Sequence, residues 1–174
     1  MSLMPPINFK AWIEAHRDRL QPPVCNAQVY PEGDFIIMVV GGPNTRKDFH
    51  IDPGPEFFYQ LQGGMTLRIV EDGKPRDVHI EEGEIFLLPS NVPHSPQRRP
   101  DTVGMVIERK RMAGEQDGLR WYCEACDAVL YEEFFELTDI TKQLAPVMQK
   151  FFASEALRTC KHCGAVMAPP AARK

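Results

Sequence analysis

Two short cysteine turns constrain this 174-residue chain more than any other feature. Cys123-Glu-Ala-Cys126 and Cys160-Lys-His-Cys163 stand 33 residues apart. A C-x2-C turn presents two thiolates to one point, and two such turns facing each other complete a tetrahedral four-sulfur shell around zinc or iron. Whatever else folds, these two stretches must meet. A disulfide framework is the competing reading and fits poorly. The N-terminus MSLMPPINFKAWIEAHRDRL has no signal-peptide core, which leads us to expect a cytoplasmic chain whose thiols stay reduced. A thioredoxin-like role fits less well still, since neither pair opens a helix after a strand. The expected site is structural, holding Fe or Zn through Cys123, Cys126, Cys160 and Cys163, and the donors alone do not separate the two metals. The fifth cysteine, Cys25, reads as a small core residue.

Between the turns, Ile140, Leu144, Val147, Met148, Phe151 and Phe152 recur at three- and four-residue steps. That is a helix pattern which Thr138 or Thr141 could cap and Pro146 could bend. Residues 112–174 carry seven basic and nine acidic side chains, and the whole chain has a net charge of −4. A DNA-binding zinc ribbon, or any footprint for nucleic acid or an anionic membrane, is therefore not expected. No apolar run approaches the roughly 18 residues of a membrane span.

From about Val29 to Arg109 the chain reads as short strands separated by Gly and Pro. They cover Phe35–Val40, Glu56–Leu61, Met65–Val70, Arg76–Ile80, Glu84–Leu88 and Val103–Glu108. Asp72-Gly73 suits a primed hairpin turn, and Glu82-Gly83 marks another tight turn. With no helices between them, such strands argue for an antiparallel sandwich or barrel. A helix is expected at Phe9–Leu20, capped by Asn8, with Trp12, Ile13 and His16 on one side. The organisation that follows is an N-terminal helix plus barrel at residues 1–111 and a metal-binding, helix-bearing extension at residues 112–174.

Two segments of the body carry candidate chemistry. One is Gly41-Gly42-Pro43-Asn44-Thr45-Arg46-Lys47-Asp48-Phe49-His50, then five residues, then Glu56; the other runs from Gly83 through Pro89, Asn91 and Pro93 to His94, Pro96 and Arg98. Their spacing resembles the two motifs of the cupin superfamily, with His50, Glu56 and Gly63 in the first and Gly83, Pro89, Asn91 and His94 in the second. Asn91 stands where a glycine is usual, and Asn is the next residue most tolerant of a left-handed turn. Asp48 stands where many cupins carry another His. The resemblance thus reduces to two His and one carboxylate, His50, Glu56 and His94, the ligand set of the facial triad that leaves positions open for Fe(II) oxygen chemistry. The plainer alternative is a metal-free β-sandwich in which these are core or surface residues. His79, between charged residues on a strand, reads as solvent-facing.

In extended arms, Arg46, Asp48 and His50 share one face, as do His94, Pro96 and Arg98. Each metal-set His then has an Arg four residues away, about 13 Å along a strand. Glu108 lies on the same face as Gly104 and Val106. Two Arg and one Glu near a ferrous site suit a small substrate with a carboxylate and an ionisable chelating group. The alternative for Arg46 and Arg98 is solvated surface charge.

The resemblance narrows further. Asp34-Phe35, Val39 to Asn44, Glu56 to Leu61, Ile85 to Pro89, His94 to Arg98, Val106 to Arg109 and Trp121-Tyr122-Cys123 with the paired cysteine turns are similar to the 3-hydroxyanthranilate 3,4-dioxygenases. The resemblance implies a mostly β cupin (double-stranded β-helix, jelly-roll) barrel with a rubredoxin-like extension, as a homodimer. It implies Fe(II) on His50, Glu56 and His94. Arg46 and Arg98 would hold the substrate carboxylate and dioxygen, with Glu108 near the ionisable groups as a base. Asn26, Phe58 and Pro96 would shape the pocket. The reaction implied is ring opening of 3-hydroxyanthranilate by O2 between carbons 3 and 4, giving 2-amino-3-carboxymuconate semialdehyde, a quinolinate precursor in tryptophan catabolism. The rivals are another metal-dependent cupin and a non-enzymatic cupin that binds a small acid.

Overall fold

The computed structural model describes residues 4–21, 25–44, 46–138 and 140–169, the side chains of 140–142 excepted. It opens with α1 (Phe9–Ala15), where Asn8 Oδ1 accepts from the Ala11 N–H at 3.0 Å, the expected cap. The helix stops short of the expected Leu20. His16 Nδ1 donates to the Trp12 carbonyl at 2.7 Å, the acceptor that a continuing α-helix would give to the His16 backbone N–H. The chain tightens there, and Arg17–Leu20 forms a 3-10 turn.

Among the described residues eleven strands follow: β1 (Asn26–Gln28), β2 (Phe35–Gly41), β3 (Phe49–Ile51), β4 (Glu56–Gln62), β5 (Met65–Glu71), β6 (Lys74–Ile80), β7 (Ile85–Leu88), β8 (His94–Arg98), β9 (Val103–Arg109), β10 (Asp117–Tyr122) and β11 (Val129–Phe135). One sheet runs β1-β2-β9-β4-β7 and the other β11-β10-β3-β8-β5-β6, antiparallel throughout. Period-two alternation gives each sheet an apolar inner face. Phe58, Leu88 and Val106 from the first sheet pack on Met65, Leu67, Ile69 and Ile80 from the second. The result is the expected double-stranded β-helix. Asp72 (φ 51°) and Gly73 (φ 75°) both adopt the left-handed conformation that the primed turn requires. Asn91 (φ 62°) does the same at its cupin-motif position.

The six-stranded sheet continues across the boundary expected at 111/112. Strand β10 pairs with β3, aligning Leu119 with His50 and Gly118 with Ile51. Leu119 and Trp121 are fully buried, and α2 (Ile140–Ala153) lays Val147 and Phe151 on them. The Trp121 and Phe151 rings stack at 4.3 Å. Thr138 meets the helix start by donating from its N and Oγ1 to Gln143 Oε1, at 2.6 and 3.0 Å. The side chain of Thr141, the other expected cap, lies outside the described residues. Helix α3 (Glu155–Arg158), capped by Ser154, then leads into the second cysteine turn.

Candidate metal and active site

Strands β3 and β8 are neighbours in one sheet, and their pairing sets His50 directly opposite His94. Strand β4 begins at Glu56 in the facing sheet. All three residues are buried, and their ligand atoms lie within 4.8 Å of one another. His94 Nδ1 donates to the Val92 carbonyl at 3.0 Å, which leaves a bare Nε2 facing Glu56 Oε1 at 2.9 Å. His50 Nε2 is held by Asp117 Oδ2 at 2.7 Å, so its Nδ1 faces the same oxygen at 3.5 Å. Glu56 Oε1 is itself buried with no hydrogen-bond partner. Two imidazole lone pairs and a carboxylate oxygen with nothing between them is an arrangement that needs a cation. These residues fit a divalent metal.

The electrostatics agree. Burial works against a charged Glu56, but His94 and His50 outweigh it and hold its carboxyl below the usual range. Burial likewise opposes a charged His50, yet Asp117 and Glu56 push it up to about 10. Among the described residues five carboxylates are buried; Asp48 is paired with Arg46, and Asp52, Glu56, Glu108 and Asp117 gather around His50. Burial, with Glu56 and Glu108 nearby, pushes Asp52 up to about 8. Burial and Glu56 also raise Glu108, its partner across the β4–β9 pairing.

One guanidinium answers this excess. Arg111 reaches Asp117 at 2.5 Å, Glu108 at 2.8 Å and Asp52 at 2.8 Å, its side chain almost fully buried. Arg111 and Asp117 therefore stand directly behind His50 and Glu108.

The sequence-derived arginines prove unlike each other. Arg46 forms a close, two-pronged pair with Asp48, the residue found where a further His is common. Arg98 is 4% exposed, and among the described residues no carboxylate pairs with it. Burial pulls it down to about 10, and its Nε has no hydrogen-bond partner. Its Nη1 donates to Gln60 Oε1 at 2.7 Å. Phe58 lies edge-on to His94 with ring centroids 6.2 Å apart, and Pro96 is half-buried on β8 between His94 and Arg98. Asn26 sits at the sheet's edge, in register with Val40, which is in register with Gly104. His79 is exposed, as expected.

The four cysteines form a second cluster. Cys123 Sγ lies 3.6 Å from Cys163 Sγ, and Cys126 Sγ lies 3.7 Å from Cys160 Sγ. Tetrahedral bonds of about 2.3 Å place sulfurs about 3.8 Å apart. The two turns are built alike. Cys123 N donates to Ala128 O and Cys160 N to Ala165 O, while Asp127 and Gly164 take the left-handed conformation at matching positions. Hydrogen bonds from the backbone of Cys163 and His162 bring the Cys160 thiol down to about 6.

A family model described as 3-hydroxyanthranilic acid dioxygenase matches residues 1–152. The chain belongs to that family. A Xanthomonas campestris pv. campestris (strain B100) relative named 3-hydroxyanthranilate 3,4-dioxygenase is 54% identical over 168 residues, 97% of this chain and 95% of its own. Relatives of the same name from Xenopus tropicalis and Rattus norvegicus are 53% and 55% identical over 90% and 89% of this chain, which spans 55% and 54% of them. Among solved structures, a cupin-2 domain containing protein from Shewanella frigidimarina covers 59% of the chain at 17% identity with a TM-score of 0.48, and 93% of that protein is covered.

Around the candidate site of this member of the dioxygenase family stand residues that no motif announced. Arg111, Asp117, Gln60 and Asp52 are polar groups in or beside apolar strand patterns, and that was their one sequence signal. Asp117 lies 67 positions from the histidine it holds. Only the β3–β10 pairing brings them together.

Proposed function

We propose that this dioxygenase opens the ring of 3-hydroxyanthranilate with O2, giving 2-amino-3-carboxymuconate semialdehyde, with Fe(II) held by His50, Glu56 and His94. The observation that carries the reading is the convergence of three bare donor atoms at the buried Glu56 oxygen, with an unneutralised Arg98 four residues from His94. When bound, a ferrous ion supplies the electronic contact that triplet oxygen needs to react with a closed-shell ring. Arg98 is the charge available to a substrate carboxylate, because Asp48 already occupies Arg46. Arg46 lies close enough to feel Glu56, so it would take its part nearer the metal and dioxygen after parting from Asp48. Glu108, with its raised proton affinity, would accept a proton from the substrate's phenol or amine. Phe58 and Pro96 would exclude water between the two ends, and Asn26 would bond at the carboxylate end.

Protein stripped of metal, reloaded with Fe(II) without oxygen and then aerated with 3-hydroxyanthranilate should consume about one O2 per substrate. No uptake by fully loaded protein would overturn the reading.

The same reading makes the protein a cytoplasmic homodimer, with Fe or Zn in a structural four-cysteine site. The thiols lie at metal-bonding rather than disulfide distance, which supports the reducing compartment. The outer face of the five-stranded sheet supports the dimer. It sets Ile37, Ile107, Phe57 and Leu87 side by side, next to Met105, Tyr59 and Ile85, with Leu87 62% and Ile85 64% exposed. A second copy would cover this apolar strip. The two metal groups divide along the chain, one within residues 1–111 and the other within 112–174. Cys160→Ser is therefore expected to loosen the cysteine turns, seen as faster hydrogen exchange there, while turnover per catalytic iron largely survives. Turnover lost with fold and first metal intact would overturn the structural role.

A further inference from the structure

Among the described residues Arg98 is a buried cation without a counter-charge, yet its guanidinium is held in place. Gln60 is fully buried on β4, on the inner face that also carries Glu56 and Phe58. Its Nε2 donates to the Gly63 carbonyl at 2.8 Å, which turns its Oε1 toward Arg98 Nη1. Opposite Gln60 on β9 stands Gly104, whose backbone is not left-handed. A Cβ at Gly104 would collide with Gln60 Oε1, the nearest atom, and would lie 2.6 Å from Arg98 Nη1 and 3.0 Å from Nη2, so it meets both the acceptor and the donor of one hydrogen bond. The missing side chain is therefore the space that this pair fills. Two rows along the same sheet, Glu56 and Glu108 are paired in register, with the apolar pair Phe58 and Val106 between. The inner face thus runs from the metal set, over an apolar stretch, to a fixed guanidinium.

We propose that Gln60 and Gly104 are positioning residues that form a neutral cradle for Arg98, and that the cradle makes the enzyme selective for ring substrates bearing a carboxylate. The amide oxygen of Gln60 orients the guanidinium without neutralising it. A glutamate there would orient it equally well and also cancel its charge. A substrate carboxylate would then meet an ion pair in place of a lone cation. Charge-assisted pairing of a guanidinium with a carboxylate is about twice as strong as a neutral hydrogen bond and loses most of that advantage once another carboxylate is in place. The proposal rests on the reading of Arg98 as the carboxylate site, and its test separates the two.

The test compares anaerobic binding of 3-hydroxyanthranilate and of 2-aminophenol, the same chelating ring without the carboxylate, to the metal-loaded protein. The variants are Arg98→Met, Gln60→Glu and Gly104→Ala, each checked for metal content and melting temperature. All three should weaken the acid about ten- to a hundredfold and change 2-aminophenol less than threefold. Gly104→Ala keeps every polar group and adds no charge, and its methyl displaces Gln60 Oε1 together with the guanidinium, so it remains informative if the buried carboxylate of Gln60→Glu disturbs folding. If Arg98→Met shows the selective loss while Gln60→Glu and Gly104→Ala bind both ligands like the native protein, the cradle is overturned and the Arg98 reading stands. If Arg98→Met shows no selective loss, both fall.

Discussion

Glu56→Gln is expected to strip the catalytic metal and lower oxygen uptake with 3-hydroxyanthranilate by about a thousandfold or more. A metal ion contributes several kcal/mol to such chemistry, at about 1.4 kcal/mol per decade of rate. The amide keeps the shape of the carboxylate but removes the negative oxygen on which both imidazoles converge. The change also removes a buried like charge beside Glu108 and Asp52, which offsets part of the stability lost with the carboxylate that His94 and His50 hold ionised. The metal-free variant should still fold, and melt somewhat below the metal-free native protein. Added Fe(II) should raise the melting temperature of the native protein, since a ligand at a hundred times its Kd contributes about 2.7 kcal/mol, and leave the variant unmoved. Metal analysis should find only the cysteine-bound ion. A variant that retains two metals and turns over would remove Glu56 from the site.

The largest expected loss of stability follows Arg111→Met. The change leaves Asp52, Glu108 and Asp117 buried without their guanidinium, and breaking a buried pair from one side costs about 3–5 kcal/mol. For a chain of this size that is a drop of roughly 6–20 °C in melting temperature. The pH dependence carries a definite sign. In the native fold, Asp117 is held low because Arg111 and His50 outweigh the effect of burial. Its stabilising share is present above the unfolded carboxylate range and lost as acid protonates the folded form. Without Arg111 that share shrinks to what His50 supplies, while Glu108, already raised, and Asp52, which already stands at about 8, rise further. The folded variant then binds more protons than its unfolded chain, so its stability falls as pH rises. The deficit should be largest near pH 8 and shrink toward pH 5. Melting curves across that range check it, and a variant within 2 °C of the native protein throughout would rule out the role given to Arg111.

His50, Glu56 and His94 stand on three different strands and were legible through the cupin-like spacing of their two motifs, while each pair of cysteines lies in one short turn, where local geometry fixes direction. Arg98 was legible for the same reason: period-two alternation carries it to the face of His94. Its lack of a counter-charge was not, since Gln60 and Gly104 reach it only through cross-strand pairing. Arg46 and Asp48 appeared together on a face, but their pairing depends on side-chain conformation, which alternation does not determine. The strands β10 and β11 escaped notice because cysteine turns and a strong helical repeat flank them. Strand β10 draws much of its stability from Phe151 and from β3, both distant in sequence. The early end of α1 depended on one side-chain hydrogen bond, from His16 to a carbonyl.

The continuity of the sheet past residue 111 has a practical meaning for trimming or grafting this chain. A cut placed there, where the change from body to cysteine-bearing extension suggests one, would remove the Asp117 that steadies His50 and the strand covering the open edge of β3. Beyond β11 the chain leaves the barrel's hydrogen-bonded framework, but its helix still covers Trp121 with Phe151 and its second cysteine turn completes the four-sulfur set. What looks in sequence like a detachable accessory supplies one wall of the room in which the chemistry takes place.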